Sequence, residues 1–318
     1  MVEPAPRRLA VLGSPIEHSL SPALHGAAYG VLGLPWQYDA HRVNASELDG
    51  FLDGLTPDWL GLSLTMPLKH EIQHRLRDLD RVATLTGTVN TVRIGDATAD
   101  GSATPALTGY NTDVPGLVRA LGEAGVDRAV HVTVLGAGAT AASALVAAAE
   151  LGAETVQILA RTPSRAHSLV DLGHQLGLVV SVDELAAADD PARQSDLVIS
   201  TLPGDAVLPA EFPALFRSET LLFDVGYAPW PTALAASWAG VGGRVSSGRT
   251  MLLHQALIQV RIFVGNDPFL PLPDEERVLR AMRDALPRET PVPADPSAAH
   301  PIDTGAHGAA PVDPAVEG

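Results

Sequence analysis

Short apolar runs alternate with helix-period segments along most of this chain. In the first third, residues 8–12, 36–43, 60–64, 88–94 and 106–110 read as strands. Ser21-Pro22 opens a helix, with serine at the cap and proline in the first turn. Residues 44–54 read as a helix capped by Asn44, and residues 68–78 as a polar helix following Met66-Pro67. Further on, residues 131–135, 155–160, 178–182, 196–201 and 221–225 have strand character. Helices are expected from Asp113 to about Glu123, over 138–151, over 249–264 as a long amphipathic helix, and over 274–286. Strands and helices in alternation predict βα units and largely parallel sheets, so the fold class is α/β.

At 318 residues the chain is long enough for about two domains. From residue 287 to 318 the sequence is Pro, Ala, Asp and Gly without periodicity and holds seven of the 26 prolines, the composition of a disordered tail.

Charge and composition narrow the chemistry. The net charge of −16 and pI near 5.0 speak against nucleic acid or an anionic membrane surface as partner. They also require that any anion be held by local devices such as a helix N-terminus, hydroxyls or a few arginines. Cysteine is absent, which excludes disulfides, thiolate metal sites and cysteine nucleophiles. No His/Cys/Glu cluster suggests a metal, no apolar run is long enough for a membrane span, and the N-terminus lacks a signal-peptide core. A cytoplasmic enzyme is the expectation.

One motif carries a cofactor prediction by itself. Gly136-Ala-Gly138-Ala139-Thr140-Ala141 follows an apolar strand and opens an alanine-rich helix, a G-x-G-x-x-A turn in the context that binds a dinucleotide. The first glycine permits the turn, the second admits the pyrophosphate, and the small third residue packs helix on strand. At the end of the following strand an NAD site carries an acid for the ribose 2′-hydroxyl. Here the segment is Ala160-Arg161-Thr162-Pro-Ser-Arg165, with two guanidiniums suited to a 2′-phosphate. The predicted cofactor is NADP(H).

The polar residues at the ends of the N-terminal strands are individually bland. Ser19 and Ser21 flank a helix start, where two hydroxyls can meet a carboxylate; Ser21 can equally be an N-cap. Thr65 and Lys69 lie one turn apart after a strand. Asn90, Asp113 and Gln255 can each be a cap, turn or packing residue. Taken in order, however, the segments SPIEHSLSPALH, LTMPLKH, GTVNTV, GYNTDVPG, GAGATA, ARTPSR, FDVGYAPWPT and SGRTMLLHQA closely resemble the shikimate dehydrogenase family over about residues 8–265. The chain departs from the family pattern at Ala139-Thr140 in the nucleotide turn and at Ala160 before the arginine patch.

The resemblance implies an N-terminal, mostly parallel α/β substrate domain from residues 1–112 and 247–286, and a Rossmann-type NADP-binding domain over 113–246, with a cleft between the two. It implies reversible NADPH-dependent reduction of 3-dehydroshikimate to shikimate in aromatic amino-acid biosynthesis. It implies a substrate carboxylate on Ser19, Ser21 and Tyr227, ring hydroxyls on Thr65, Asn90 and Gln255, and Lys69 with Asp113 as the catalytic pair. Cofactor contacts would fall on Gly136, Gly138, Ala139, Thr140, Ala141, Arg161, Thr162 and Arg165, with Gly248 and Met251 beside the nicotinamide. A lysine at a reducing ketone can stabilise the growing charge and supply the proton. Family members are monomers or homodimers. Two other readings are a quinate/shikimate or aminoshikimate dehydrogenase of another pathway, and a non-catalytic ligand-binding regulator on the same scaffold; retention of both Lys69 and Asp113 speaks against the latter.

Overall fold

A computed structural model describes residues 5–95, 105–190 and 192–292. Two six-stranded sheets organise it. The first contains β1 (Arg7–Gly13), β2 (Trp36–Arg42), β3 (Trp59–Leu64), β4 (Asp78–Leu79), β5 (Thr91–Ile94) and β6 (Leu107–Tyr110), in the spatial order β2-β1-β3-β5-β6-β4. β1 runs parallel to β2 and β3, whereas β5 is antiparallel to both its neighbours, so this sheet is mixed with one reversed strand. Alternate residues of β1 serve two cores. Leu9 and Val11 pack with Leu253, Leu257 and Phe263 on one face, and Ala10 and Leu12 with Leu48, Leu62 and Leu68 on the other. A strand covered on both faces is largely apolar, which is why β1 from Leu9 and β3 apart from Ser63 show no polar alternation.

The second sheet contains β7 (His131–Leu135), β8 (Thr155–Ala160), β9 (Val179–Glu184), β10 (Leu197–Ser200), β11 (Leu221–Asp224) and β12 (Val245–Ser247). All its pairs are parallel, in the order β12-β11-β10-β7-β8-β9. The chain builds outward from β7 on one side, then returns to β10 and builds outward on the other. The crevice between β7 and β10 is therefore the switch point where a doubly wound sheet binds its ligand. The helix Ala139–Glu150 buries Ala141, Ala144, Leu145 and Ala148 against this sheet. Its small side chains let it approach closely.

Several local expectations are corrected. Ser21 is the first helical residue rather than the cap, which is Leu20; the Ser19 Oγ, two residues before Ser21, accepts the Ser21 N–H at 3.4 Å. The polar helix after Pro67 is only Leu68–Glu71 followed by a 3₁₀ turn, Ile72–Arg75, because Leu76 turns extended to reach the short strand β4. The helix Gly248–Gly265 is buried on nearly every side between Leu253 and Phe263 instead of amphipathic. It is the central post between the first sheet, the helix Ser21–Leu32 and the helix Asp113–Glu123, so it has no solvent face to mark with charges. Short helices Arg81–Thr86, Ala214–Glu219 and Ala233–Ala239 have too few turns to leave a clear period in the sequence. Of the Pro-rich C-terminal segment, residues 287–292 are described as coil, with the Pro287 carbonyl accepting from Arg249; residues 293–318 lie outside the described part.

Candidate active site

The carboxyl ends of the strands of both sheets face one cavity of about 300 Å³. The first sheet contributes Ser19 and Ser21 after β1, Thr65 and Lys69 after β3, Asn90 before β5, and Asp113 after β6. The second contributes Thr140 from the glycine turn, Tyr227 after β11, and Gly248, Met251 and Gln255 after β12. All eight substrate and catalytic candidates line this one space, with three of the cofactor candidates.

Lys69 and Asp113 are in direct contact: Lys69 Nζ donates to Asp113 Oδ2 at 2.5 Å. The Lys69 side chain keeps 15% of its surface open and lines the cavity. The other carboxylate oxygen, Asp113 Oδ1, accepts from Asn90 Nδ2 at 2.8 Å. Asn90 also donates to Thr112 Oγ1 at 2.9 Å, and its Oδ1 accepts the Thr112 N–H at 2.9 Å. Asp113 stands in the first turn of the helix Asp113–Glu123, where the free N–H groups and dipole favour a negative charge.

Residues 251, 255 and 259 recur every four positions, so Met251, Gln255 and Gln259 stack on the cavity face of their helix. Gln259 was not singled out by sequence reasoning, although the four-residue spacing from Gln255 in an apolar helix was a usable signal. Its Oε1 accepts from Ser63 Oγ at 2.8 Å and from His25 Nε2 at 3.1 Å; its Nε2 donates to Thr91 Oγ1 at 3.0 Å. Tyr38 Oη donates to Ser63 at 2.7 Å, and the His25 ring stacks on Tyr38 with centroids 3.9 Å apart. Complete burial pushes His25 down to about 3, so it is neutral and its Nδ1 is free to accept from Tyr29 Oη at 3.1 Å. This buried network backs the wall behind Ser21. It was missed because Ser63, Tyr38 and His25 come from three separate elements and meet only in the folded chain.

Tyr227 is placed by a neighbouring acid. Asp224 Oδ2 accepts from Thr232 Oγ1 at 2.6 Å and Oδ1 accepts the Gly226 N–H at 3.1 Å, which clamps both ends of the loop between them. Burial pushes the Tyr227 phenol up, so it stays a donor.

The nucleotide turn lies beside the cavity. Gly136 has φ +108°, and a Cβ there would also meet Thr201 Oγ1 at 2.5 Å, so only glycine fits. Gly138 is the extended N-cap residue of the helix, without a side-chain cap bond, and the space where its Cβ would be is open. The first-turn N–H groups of Ala139 and Thr140 therefore face a cradle, with Ala141 buried behind them. Arg161, Thr162 and Arg165 are exposed past the end of β8, away from the cavity, and no side-chain partner is found for either arginine among the described residues. Open N–H groups and unpartnered guanidiniums fit a dinucleotide carrying an extra phosphate.

Known proteins match this architecture. Residues 11–92 match the shikimate dehydrogenase substrate binding domain, and residues 105–220 match the alanine dehydrogenase/PNT C-terminal domain. A shikimate dehydrogenase (NADP(+)) of Methanothermobacter thermautotrophicus is 32% identical over 285 residues, which cover 87% of this chain and 95% of that one. The chain belongs to the shikimate dehydrogenase (NADP(+)) family. Among solved structures, shikimate dehydrogenase of Mycobacterium tuberculosis is 37% identical, with 88% of this chain and 99% of that one covered at a TM-score of 0.71. Shikimate 5-dehydrogenase from Thermus thermophilus, in complex with NADP(H) and shikimate, is 33% identical over 88% of this chain and all of that one, again at 0.71. The fold is thus the family's two-domain α/β architecture with a Rossmann-type nucleotide domain, and its members' cofactor, NADP(H), agrees with the arginine patch. No helix among the described residues is long and apolar enough to cross a membrane.

Proposed function

We propose that this chain catalyses the reversible NADPH-dependent reduction of 3-dehydroshikimate to shikimate, a step toward chorismate and the aromatic amino acids. The observation that carries the reading is the Lys69–Asp113 contact at the edge of a cavity framed by both sheets. NADPH, when bound, supplies the hydride for the carbonyl carbon. The Lys69 ammonium stabilises the negative charge that grows on the ketone oxygen and gives it a proton. In the oxidative direction it takes the proton back. Asp113 fixes Lys69 through Oδ2, while Asn90 holds Oδ1 so that the carboxylate cannot rotate away.

Substrate binding is assigned residue by residue on the same reading. Ser19, Ser21 and the protonated Tyr227 take the carboxylate, which supplies the local anion binding that a chain of net charge −16 requires. Thr65, Asn90 and Gln255 take ring hydroxyls. Gly136, Gly138, Ala139, Thr140 and Ala141 would hold the pyrophosphate, Arg161, Thr162 and Arg165 the 2′-phosphate, and Gly248 and Met251 the nicotinamide side. The division of labour follows: residues 1–112 with 247–286 for substrate, and 113–246 for cofactor. Both ligands are small soluble metabolites, which suits a cytoplasmic enzyme.

The test is direct. With shikimate and NADP⁺ the protein should generate the absorbance of reduced cofactor, faster than with NAD⁺ at equal concentration. No turnover, or turnover with NAD⁺ alone, would overturn the reading. Running quinate and aminoshikimate in parallel decides between the biosynthetic enzyme and its catabolic or secondary-pathway relatives.

A further inference from the structure

Between the strand β6 and the helix that bears Asp113 lies Asn111, a residue that touches neither the cavity nor solvent. Its side chain is used at both ends. Oδ1 accepts the backbone N–H of Asp113 at 2.9 Å and of Val114 at 3.3 Å. These are orphan donors of the helix start, which the residue in the cap position, Thr112, does not satisfy with its own side chain. Nδ2 points the other way, toward Thr88 Oγ1 at 2.8 Å, Thr86 Oγ1 at 3.0 Å and Ser143 Oγ at 3.2 Å.

Ser143 is fully buried in the helix Ala139–Glu150, one turn beyond Thr140 of the nucleotide turn. Thr86 and Thr88 precede Asn90, the other residue that grips Asp113. One amide thus joins three bodies: the backbone of the acid, the loop that holds its carboxylate, and the helix that opens at the nucleotide turn. Every one of these groups is nine-tenths buried or more, so none can exchange its partner for water without leaving a buried polar atom unpaired.

We propose that Asn111 is a positioning residue that sets the Asp113 carboxylate against Lys69 and registers it to the cofactor-bearing helix through Ser143. This rests on the assignment of Asp113 to the catalytic pair. The acceptor branch places the first helical turn. The donor branch ties that turn to Thr86 and Thr88, ahead of Asn90, and to Ser143 of the helix Ala139–Glu150. An apolar residue of the same size would fill the space yet release both anchors.

Steady-state kinetics with shikimate and NADP⁺, run beside thermal melts, tests it. Asn111→Ala should lower kcat by roughly 10–100-fold, the cost of a misplacement of about 1 Å at a reacting group. The KM for shikimate should stay within about threefold, because Ser19, Ser21, Thr65 and Gln255 are not attached to Asn111. The kcat–pH profile should shift as well, since the Lys69–Asp113 contact loosens. Asn111→Asp keeps the acceptor branch, as Asp caps a helix about as well as Asn, but loses the donor branch, and should fall between Asn111→Ala and the wild type in kcat. Ser143→Ala cuts only the cross-domain bond and should lower kcat by a few-fold, with NADPH affinity unchanged in a fluorescence titration without substrate. An Asn111→Ala enzyme with wild-type kcat and pH profile would overturn the proposal. So would a loss that appears as a raised KM alone. Asp113→Asn is the control for the underlying assignment: if it turns over at the wild-type rate, the catalytic pair is wrong. If it is slow while Asn111→Ala is not, only the positioning role falls.

Discussion

The two halves of the cleft solve opposite problems with buried polar groups. On the substrate side, Asp113, Asn90, Thr112, Gln255 and Gln259 already bond one another, and His25, Tyr38 and Ser63 complete the set. On the nucleotide side, the helix start at Gly138 has no cap bond and Arg161 and Arg165 extend into solvent. One wall is preorganised by protein–protein hydrogen bonds. The other is completed by its ligand. Acid–base chemistry needs reacting groups held within tenths of an ångström, and a mutual network supplies that stiffness. A cofactor that arrives and leaves every turnover is served instead by groups that give up only water to receive it.

This contrast can be broken first at its stiff end. Lys69→Ala should slow turnover by roughly 10²–10⁴-fold, the usual effect of removing a positioned acid–base group, while NADPH binding measured by fluorescence is retained. A near-wild-type rate would remove Lys69 from the mechanism. At the open end, the double replacement Arg161→Ala and Arg165→Ala should lower kcat/KM for NADP⁺ by about 10–100-fold, from the loss of charge-assisted hydrogen bonds. The value for NAD⁺ should hardly change. An equal loss with both cofactors would mean that the patch is not a 2′-phosphate site.

The join between the halves comes next. Gly248 starts the helix Gly248–Gly265 directly against β11, and a Cβ there would overlap the Val225 carbonyl. Gly248→Ala should cost about 1–3 kcal/mol of stability by overpacking, read as a lower melting temperature, and should raise the KM for both ligands as Tyr227 and Met251 move apart. An unchanged melting temperature would mean that the helix start yields.

At neutral pH the last effect vanishes, and it grows only on acidification. His25 is held neutral down to about 3 in the folded protein, whereas in the unfolded chain it titrates near 6.5. Below about pH 6.5 the unfolded state therefore takes up a proton that the folded state does not. Stability is present in full above 6.5 and falls as pH drops toward 3, with a slope of about 1.4 kcal/mol per pH unit from this residue. Denaturant melts between pH 7 and 4 should give a shallower slope for His25→Gln than for the wild type. Identical slopes would remove the buried histidine from the acid limb.

The legibility of the site in the sequence followed the same division. The nucleotide turn is local: strand, Gly136, Gly138 and helix are contiguous, so a short window held everything that mattered. The candidates Ser19, Ser21, Thr65, Lys69, Asn90, Asp113, Tyr227 and Gln255 were legible only as an ordered set of motifs, since each has an ordinary structural role when read singly. Asn111 lay inside one of those motifs and still went unnoticed, because its partners Thr86, Thr88 and Ser143 come from separate elements. The all-round burial of the helix Gly248–Gly265 was likewise hidden, because its Gln255, Gln259 and Arg261 look like solvent-facing residues until their bonding partners are known.

By itself, then, the sequence determined the alternation of strands and helices, the two βα halves, the phosphate-binding turn and the chemistry available at the strand ends. These depend on backbone preference and on neighbours within a few residues. Only the tertiary structure decided that Lys69 meets Asp113, that Gln259 and His25 stiffen the wall behind Ser21, and that Asn111 ties the acid to the cofactor helix. Those pairings join residues 32 to 234 positions apart. No local propensity encodes them; they exist because two sheets bring their carboxyl ends to one cavity, where each buried polar group must find a partner.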